Sequence, residues 1–238
     1  MEKSPVKGDE SFRMELCRYL ARSRGMEASP EQIVVGSGAE YLYGLVVQLL
    51  GTEKRYALEE PSYEKIRQVY RALGASCEHL PLGASGIESA ALGESCADVL
   101  HITPYRSFPS GVTATASKKR EYLRWADTRG RILVEDDFES EFTLSRKPED
   151  TLFAMSDQEN VIYVNSFSKT VSPSIRVGYM VLPRPLLSLF EEKLGFYSCT
   201  VPLFEQLVLK KLIAEGDFER HINRVRRQLR RKKEEEER

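Results

Sequence analysis

Short apolar runs alternate with amphipathic, helix-like segments along most of this 238-residue chain. The runs are rich in valine, isoleucine and leucine, as in strands that are buried on both sides of a sheet. Alternation of such strands with helices predicts an α/β fold in three layers, with a mostly parallel sheet covered on both faces. The predicted strands lie within residues 33–35, 55–60, 98–104, 131–137, 161–167 and 176–183.

The pattern changes after Leu182, where the sequence predicts helices alone. The last segment carries a thin apolar stripe and opposite charges at i,i+4, which is typical of a solvated helix. A basic run at residues 230–233 could form a nucleic-acid patch, but the glutamates that follow it cancel the charge. We therefore expect a large domain over residues 1–216 and a charged C-terminal helix over residues 217–238.

Composition and charge exclude several functional classes. The net charge of −1 creates no global field that would recruit nucleic acid or an anionic membrane. No apolar run reaches the length of a membrane span. The four cysteines are far apart and the three histidines are scattered, so we expect no metal site and no disulfide frame. Free thiols favour a cytoplasmic protein.

Two stretches at predicted strand ends could bind a flat, phosphorylated cofactor. GSGAE at residues 36–40 leaves the amides of Gly38 and Ala39 free at the positive end of a helix dipole, which suits a phosphate. A tight strand–helix turn is the alternative explanation of its glycines. EEPSY at residues 59–63 places Tyr63 where its ring could stack on a cofactor or pack on its own helix.

Two further stretches add charge at the same edge of the sheet, where ligands of such folds collect. LVEDDF at residues 133–138 ends a buried strand in consecutive carboxylates, of which at least one needs a cationic partner unless the loop is solvated. In SFSKTVSPSIR, Lys169 could form a Schiff base, and Ser166 and Arg176 could bind a phosphate. The alternative is a surface lysine and an arginine that pairs with a local carboxylate.

Together these residue types suit pyridoxal 5′-phosphate, and SFSKT…SIRVGYM resembles the S-x-x-K plus R-x-G signature of class I/II aminotransferases. The resemblance extends from about residue 8 to the helix near residue 221. It implies the large domain of a fold-type-I aminotransferase, with Lys169 as the catalytic residue that forms the Schiff base. The cofactor-binding residues that it implies are Gly38, Ala39, Tyr63, Asp136, Ser166, Lys169 and Arg176.

RYLARSRGMEASPEQIVVGSGAE, VEDDFESEF and TPYRSFPSGVT resemble more narrowly the aminotransferase-like domain of MocR-type transcriptional regulators, in the GntR superfamily. Phe108 stands where catalytic aminotransferases have an asparagine, and Phe138 stands where the family has a tyrosine. Both changes remove polar partners of the ring oxygen, which predicts weak catalysis. The resemblance also implies a homodimer. It places the DNA-binding part and a small domain with a carboxylate-binding arginine outside this chain.

Two main functions follow from these motifs. The chain is either an aminotransferase that acts on an amino acid or amine, or an effector-sensing domain of a MocR-type regulator. A third interpretation takes Ser166 as the nucleophile of the S-x-x-K acyl-enzymes, which also need a K-T-G strand. Here Val171 follows Lys169 and Thr170, so that strand is missing. A purely structural domain without a ligand is the last alternative.

Overall fold

An eight-stranded mixed sheet forms the centre of the part of the chain that the structure describes. The computed structural model describes residues 5–137, 139–143, 150–157 and 159–236. The strands are β1 (Ile33–Gly36), β2 (Tyr56–Glu60), β3 (Cys77–Gly83), β4 (Gly86–Ile87), β5 (Val99–Ile102), β6 (Ile132–Asp136), β7 (Val161–Ser166) and β8 (Gly178–Val181).

The central strands run parallel, as the alternating pattern predicts. The sheet order is β1-β8-β7-β6-β5-β2-β3-β4. The pairs from β7 to β3 are parallel, whereas β8 pairs antiparallel with both of its neighbours and β4 pairs antiparallel with β3. Strands β1, β5 and β8 are buried along their whole length. The predicted α/β sheet, covered on both faces, is confirmed.

Helices cover both faces of the sheet because successive strand residues point to opposite sides. Val34 and Met180 face a core that α2, α3 and α7 complete, whereas Val35 and Tyr179 face a core built with α1, α8 and α9. The helices of the described residues are α1 (Glu10–Arg24), α2 (Ala39–Leu50), α3 (Glu64–Ala72), α4 (Ser89–Glu94), α5 (Ala116–Asp127), α6 (Leu152–Met155), α7 (Leu187–Leu194), α8 (Leu203–Ala214) and α9 (Asp217–Glu236).

The helical C-terminal part is confirmed by α7, α8 and α9. Ile222 is buried while Val225 and Leu229 are half-buried, so the apolar stripe of α9 faces the protein. Residues 237–238 of the predicted charged helix lie outside the described residues. The boundary after residue 216 falls in the turn between α8 and α9 and stays a prediction. No helix in the described ranges is long and apolar enough to cross a membrane.

Candidate functional site

The predicted site residues meet at the carboxyl ends of β6 and β7. Two adjoining pockets open there, and both are lined by Tyr63, Asp136 and Lys169. Gly38 closes one side, because a Cβ built on it would lie 3.0 Å from the Arg176 guanidinium. The structure therefore brings together the seven residues that the motifs predict to bind a cofactor. The pockets are lined by Ala39, Glu40, Tyr43, Tyr63, Thr103, Phe108, Asp136, Asp137, Glu139, Asn165, Ser166, Ser168, Lys169 and Arg176.

The turn before α2 and the Arg176 side chain form a cradle for an anion. Gly38 caps α2 with a φ of +92°, a conformation that side chains rarely adopt. The missing Cβ lets Arg176 lie against the turn, so the guanidinium and the first amides of α2 converge. Arg176 Nη2 lies 3.5 Å from Glu40 Oε2. A phosphate would complete this arrangement of donors, because helix N-termini and guanidinium groups both bind phosphate oxygens.

Lys169 lies in the turn that follows β7, at the mouth of the pocket. Its side chain is half exposed, and Nζ lies 3.4 Å from Glu139 Oε1. Ser166 ends β7, and its backbone N–H donates to Asn165 Oδ1 at 2.6 Å. The Ser168 hydroxyl donates to the Ile175 carbonyl at 2.9 Å, which closes the loop between Lys169 and Arg176. Ser168 thereby stabilises the spacing of the motif.

Asp136 is the last residue of β6 and is buried at the bottom of the pocket. The Tyr43 hydroxyl donates a hydrogen bond to Asp136 Oδ2. Burial raises the pKa of Tyr43 well above its ordinary value, so this hydroxyl keeps its proton. His101 Nε2 lies 3.8 Å from the same carboxylate oxygen. These neighbours hold the carboxylate in a fixed orientation.

Asp137 faces the opposite side of the strand and has a cationic partner inside the protein. It forms a buried ion pair with Arg24, the last residue of α1. The Tyr163 hydroxyl donates to Asp137 Oδ2 at 2.5 Å. The sequence motif required a cation for at least one of the consecutive acids, and Arg24 fills that role for Asp137. Both acids border the pocket, but the Asp137 carboxylate is engaged by Arg24, which favours Asp136 as the acid available to a ligand there.

Two aromatic rings form the outer wall of the pocket. Tyr63 and Phe108 meet edge to face, with ring centroids 6.0 Å apart and an interplanar angle of 80°. Phe108 is 57% exposed and lines the pocket. It supplies no hydrogen-bonding group at the position where catalytic aminotransferases have an asparagine. The predicted departure at Phe138 lies outside the described residues.

Glu59 is a buried acid beside the site that the sequence interpretation missed. It lies on β2, and one carboxylate oxygen accepts from the Thr103 amide at 3.2 Å and from the Ser107 hydroxyl. It therefore connects the end of β2 to the loop that carries Phe108. Burial raises the pKa of Glu59 to about 8, with Asp136 adding to the effect. The sequence signal that could have identified Glu59 is a charged residue in the predicted strand RYALEE.

The raised pKa of Glu59 predicts a pH-dependent stability difference. The folded protein keeps the Glu59 proton between about pH 4.5 and 8, whereas the unfolded chain releases it, so stability falls as the pH rises through this range. We expect Glu59→Gln to remove this loss, which is on the order of 4 kcal/mol of unfolding free energy between pH 4.5 and pH 8 at about 1.4 kcal/mol for each pKa unit. Urea unfolding of the wild type and the variant at the two pH values measures this difference in the free energy of unfolding.

Glu60→Gln is the matched control for this prediction, because Glu60 adjoins Glu59 but its side chain is 56% exposed. We expect the control to follow the wild-type pH dependence. A Glu59→Gln variant whose stability changes with pH as the wild type does would contradict the prediction.

The geometry agrees with a family comparison. The family model for aminotransferase class I and II matches residues 2–235. The chain belongs to this family. Membership implies pyridoxal phosphate as the cofactor, and the donor set of the pocket fits it: a buried carboxylate at Asp136, a cradle at Gly38 and Arg176, and a lysine at the mouth.

Proteins similar to this chain include both regulators and enzymes. The uncharacterized HTH-type transcriptional regulator YdeL of Bacillus subtilis is 31% identical over 96% of this chain and 49% of its own length. The HTH-type pyridoxine biosynthesis transcriptional regulator PdxR of Corynebacterium glutamicum is 28% identical, over 94% of this chain and 49% of its own. The chain thus spans about half the length of these regulators.

A solved enzyme structure shares the fold of this aminotransferase-family chain. LysN of Thermus thermophilus, an alpha-aminoadipate aminotransferase complexed with N-(5′-phosphopyridoxyl)-L-leucine, superposes with a TM-score of 0.82. It is 28% identical, over 95% of this chain and 58% of its own. The similarity confirms the predicted fold-type-I aminotransferase architecture. The regulators confirm the narrower resemblance to MocR-type proteins.

Proposed function

We propose that this chain binds pyridoxal 5′-phosphate covalently through Lys169 and uses the site to sense an amino acid or amine. The observation that carries the proposal is the meeting of Lys169, Asp136 and the Gly38–Arg176 cradle in one pocket. A lysine, a buried acid and a phosphate seat are the groups that this cofactor requires from a protein.

Each residue then has a distinct role. Bound pyridoxal phosphate supplies an electron sink for chemistry at the carbon next to an amine. Asp136 would hold the proton on the ring nitrogen, and Arg176, Ser166 and the amides of Gly38 and Ala39 would bind the phosphate. Tyr63 would cover the ring. Lys169 Nζ would bond to the cofactor and, once an incoming amine has replaced it there, would act as the base near the substrate.

Sensing is supported more strongly than turnover. Phe108 gives the ring oxygen no hydrogen-bond partner, and the regulators YdeL and PdxR match this chain over nearly its whole length. Such a site would act as the effector-binding domain of a MocR-type regulator. Transamination is the second candidate, supported by the similarity to LysN of Thermus thermophilus.

An absorbance titration with pyridoxal phosphate tests cofactor binding. We expect a band in the visible that borohydride removes, since reduction of the lysine–cofactor bond destroys the chromophore. A protein without such a band would overturn the proposal. A panel of amino acids with 2-oxoglutarate then separates the two candidates: the sensing proposal predicts far less than about one turnover per second, the lower end of ordinary enzyme rates.

We also propose that the protein is a cytoplasmic homodimer. The free thiols of its cysteines support the location. A dimer is supported by an apolar surface over residues 196–208, which holds most of the large exposed apolar side chains of the described residues. The surface adjoins the phosphate cradle, because Thr200 Oγ1 lies 3.2 Å from Ser37 Oγ. Its exposed members are Phe196, Tyr197, Leu203, Phe204, Leu207 and Val208.

A charge at the centre of this apolar surface should prevent association. Phe204 is 77% exposed, and Phe204→Glu would bury a carboxylate in the proposed interface. In sedimentation experiments we expect the wild type at twice the chain mass of 27.2 kDa and the variant at the chain mass. Leu73→Glu is the control, because Leu73 is 37% exposed outside the surface. A wild type that sediments as a monomer would contradict the dimer.

A further inference from the structure

A line of buried polar groups extends from the bottom of the pocket into the core. It begins at Asp136, passes through His101 on β5 and ends at Tyr70 on α3. The Tyr70 hydroxyl lies 2.9 Å from His101 Nδ1, and His101 Nε2 lies 3.8 Å from Asp136 Oδ2. Tyr70 and His101 are 0% and 1% exposed, so water does not compete for these groups.

The position of the proton on His101 decides what Asp136 faces. A neutral imidazole carries one N–H, on either Nδ1 or Nε2. If Nδ1 carries it, the Nε2 lone pair faces a carboxylate oxygen and the buried Tyr70 hydroxyl proton loses its acceptor. If Nε2 carries it, Tyr70 donates to Nδ1 and the Nε2–H faces Asp136. The second arrangement keeps an acceptor for the Tyr70 hydroxyl and places a positive N–H dipole, rather than a lone pair, 3.8 Å from the Asp136 carboxylate oxygen.

We infer that Tyr70 is a positioning residue that fixes His101 in the tautomer whose Nε2–H faces Asp136. Among the described residues, Nε2 has no hydrogen-bond partner, so its N–H is available to the carboxylate. Burial raises the pKa of Tyr70 well above its ordinary value, and its hydroxyl therefore stays a donor. The Tyr43 ring packs edge to face on the imidazole at 5.1 Å, which restricts rotation of the ring.

The consequence concerns the orientation of the Asp136 carboxylate and rests on the proposed function. The Tyr43 hydroxyl donates to Asp136 Oδ2, and an Nε2–H of His101 would place a second positive dipole 3.8 Å from the same oxygen. Tyr70, which does not line the pocket, would thus help to orient the carboxylate that faces the ring nitrogen.

Histidine NMR of the cofactor-free protein tests the inference directly. Long-range ¹H–¹⁵N spectra distinguish the tautomers, and the His101 signals are identified by their loss in His101→Gln. We expect the wild type to show the Nε2–H form alone. In Tyr70→Phe, Nδ1 loses its donor, and we expect the Nδ1–H form to appear. A wild type in the Nδ1–H form, or a Tyr70→Phe variant with an unchanged tautomer, would overturn the inference.

Tyr56→Phe is the matched control. Tyr56 packs against Tyr70 with ring centroids 5.1 Å apart, and its hydroxyl donates to the Gly51 carbonyl rather than to a histidine. The Tyr56→Phe substitution removes a buried hydroxyl from the same core and should leave the His101 tautomer unchanged. A change of tautomer equal to that in Tyr70→Phe would show a general packing effect and overturn the inference.

Cofactor affinity provides a second measurement that separates this inference from the proposed function. We expect Tyr70→Phe to raise the Kd for pyridoxal phosphate several-fold and Tyr56→Phe to leave it unchanged. A wild type that binds no cofactor would refute the proposed function and leave the tautomer result standing. A Tyr70→Phe variant that binds the cofactor with wild-type affinity would refute the role of Tyr70 at Asp136 and would leave the proposed function untouched.

Discussion

The Lys169→Ala variant is expected to lose the visible absorbance band of the bound cofactor completely while it keeps its fold. Lys169 lines both pockets beside Asp136, and no other amine of the pocket lining could form the covalent bond in its place within the described residues. Its side chain is 52% exposed, so truncation removes little packing and should change the free energy of unfolding by less than about 0.5 kcal/mol. Absorbance and thermal unfolding measure the two effects.

Lys65→Ala is the matched control for that result. Its side chain is also 52% exposed, and it pairs with Glu40 at the rim of the same pocket, 2.7 Å from Oε1. We expect this variant to keep the band. Borohydride reduction of the wild type followed by peptide mass mapping should place the label on Lys169. A reducible band in Lys169→Ala would assign the cofactor to another lysine.

The second large effect distinguishes the two consecutive aspartates. Asp136→Asn removes the negative charge that would face the ring nitrogen, a charge-assisted contact worth about 1.5–3 kcal/mol. We expect the Kd for pyridoxal phosphate to rise by roughly tenfold to a hundredfold. Fold stability should change little, because asparagine keeps an acceptor for the Tyr43 hydroxyl.

Asp137→Asn should have the opposite profile. It leaves the Arg24 guanidinium buried without its counter-charge, and breaking one side of a buried ion pair destabilises a protein by about 3–5 kcal/mol. We expect a large loss in the free energy of unfolding and a much smaller change in cofactor affinity for the protein that stays folded. Equal effects of the two substitutions on the Kd would contradict the assignment of the roles.

The fold could be predicted from the sequence because the patterns that specify its strands and helices are local. Apolar runs without polar alternation predicted strands such as β5 and β8, and both are buried throughout. The lysine, arginine and glycine of the pocket were also predictable, since each lies in a short motif at a strand end. The period of a strand also explains why Asp136 and Asp137 point in opposite directions.

The partners of the site residues could not be predicted, because they come from distant parts of the chain. Arg24 and Asp137 are 113 residues apart, and nothing in either segment indicates the other. The same holds for Tyr70 and His101, which are 31 residues apart and lie on a helix and a strand. Local patterns identify which groups need partners, but tertiary packing decides which groups supply them.

The Arg24–Asp137 ion pair has a mechanical consequence. Arg24 is the last residue of α1, and Asp137 is joined by one peptide bond to the acid at the bottom of the pocket. A ligand that shifts the end of β6 must therefore carry the end of α1 with it, or separate the buried charges at a cost of about 3–5 kcal/mol. Since that cost exceeds most coupling energies between distant sites, we expect the C-terminal end of α1 and the bottom of the pocket to move together.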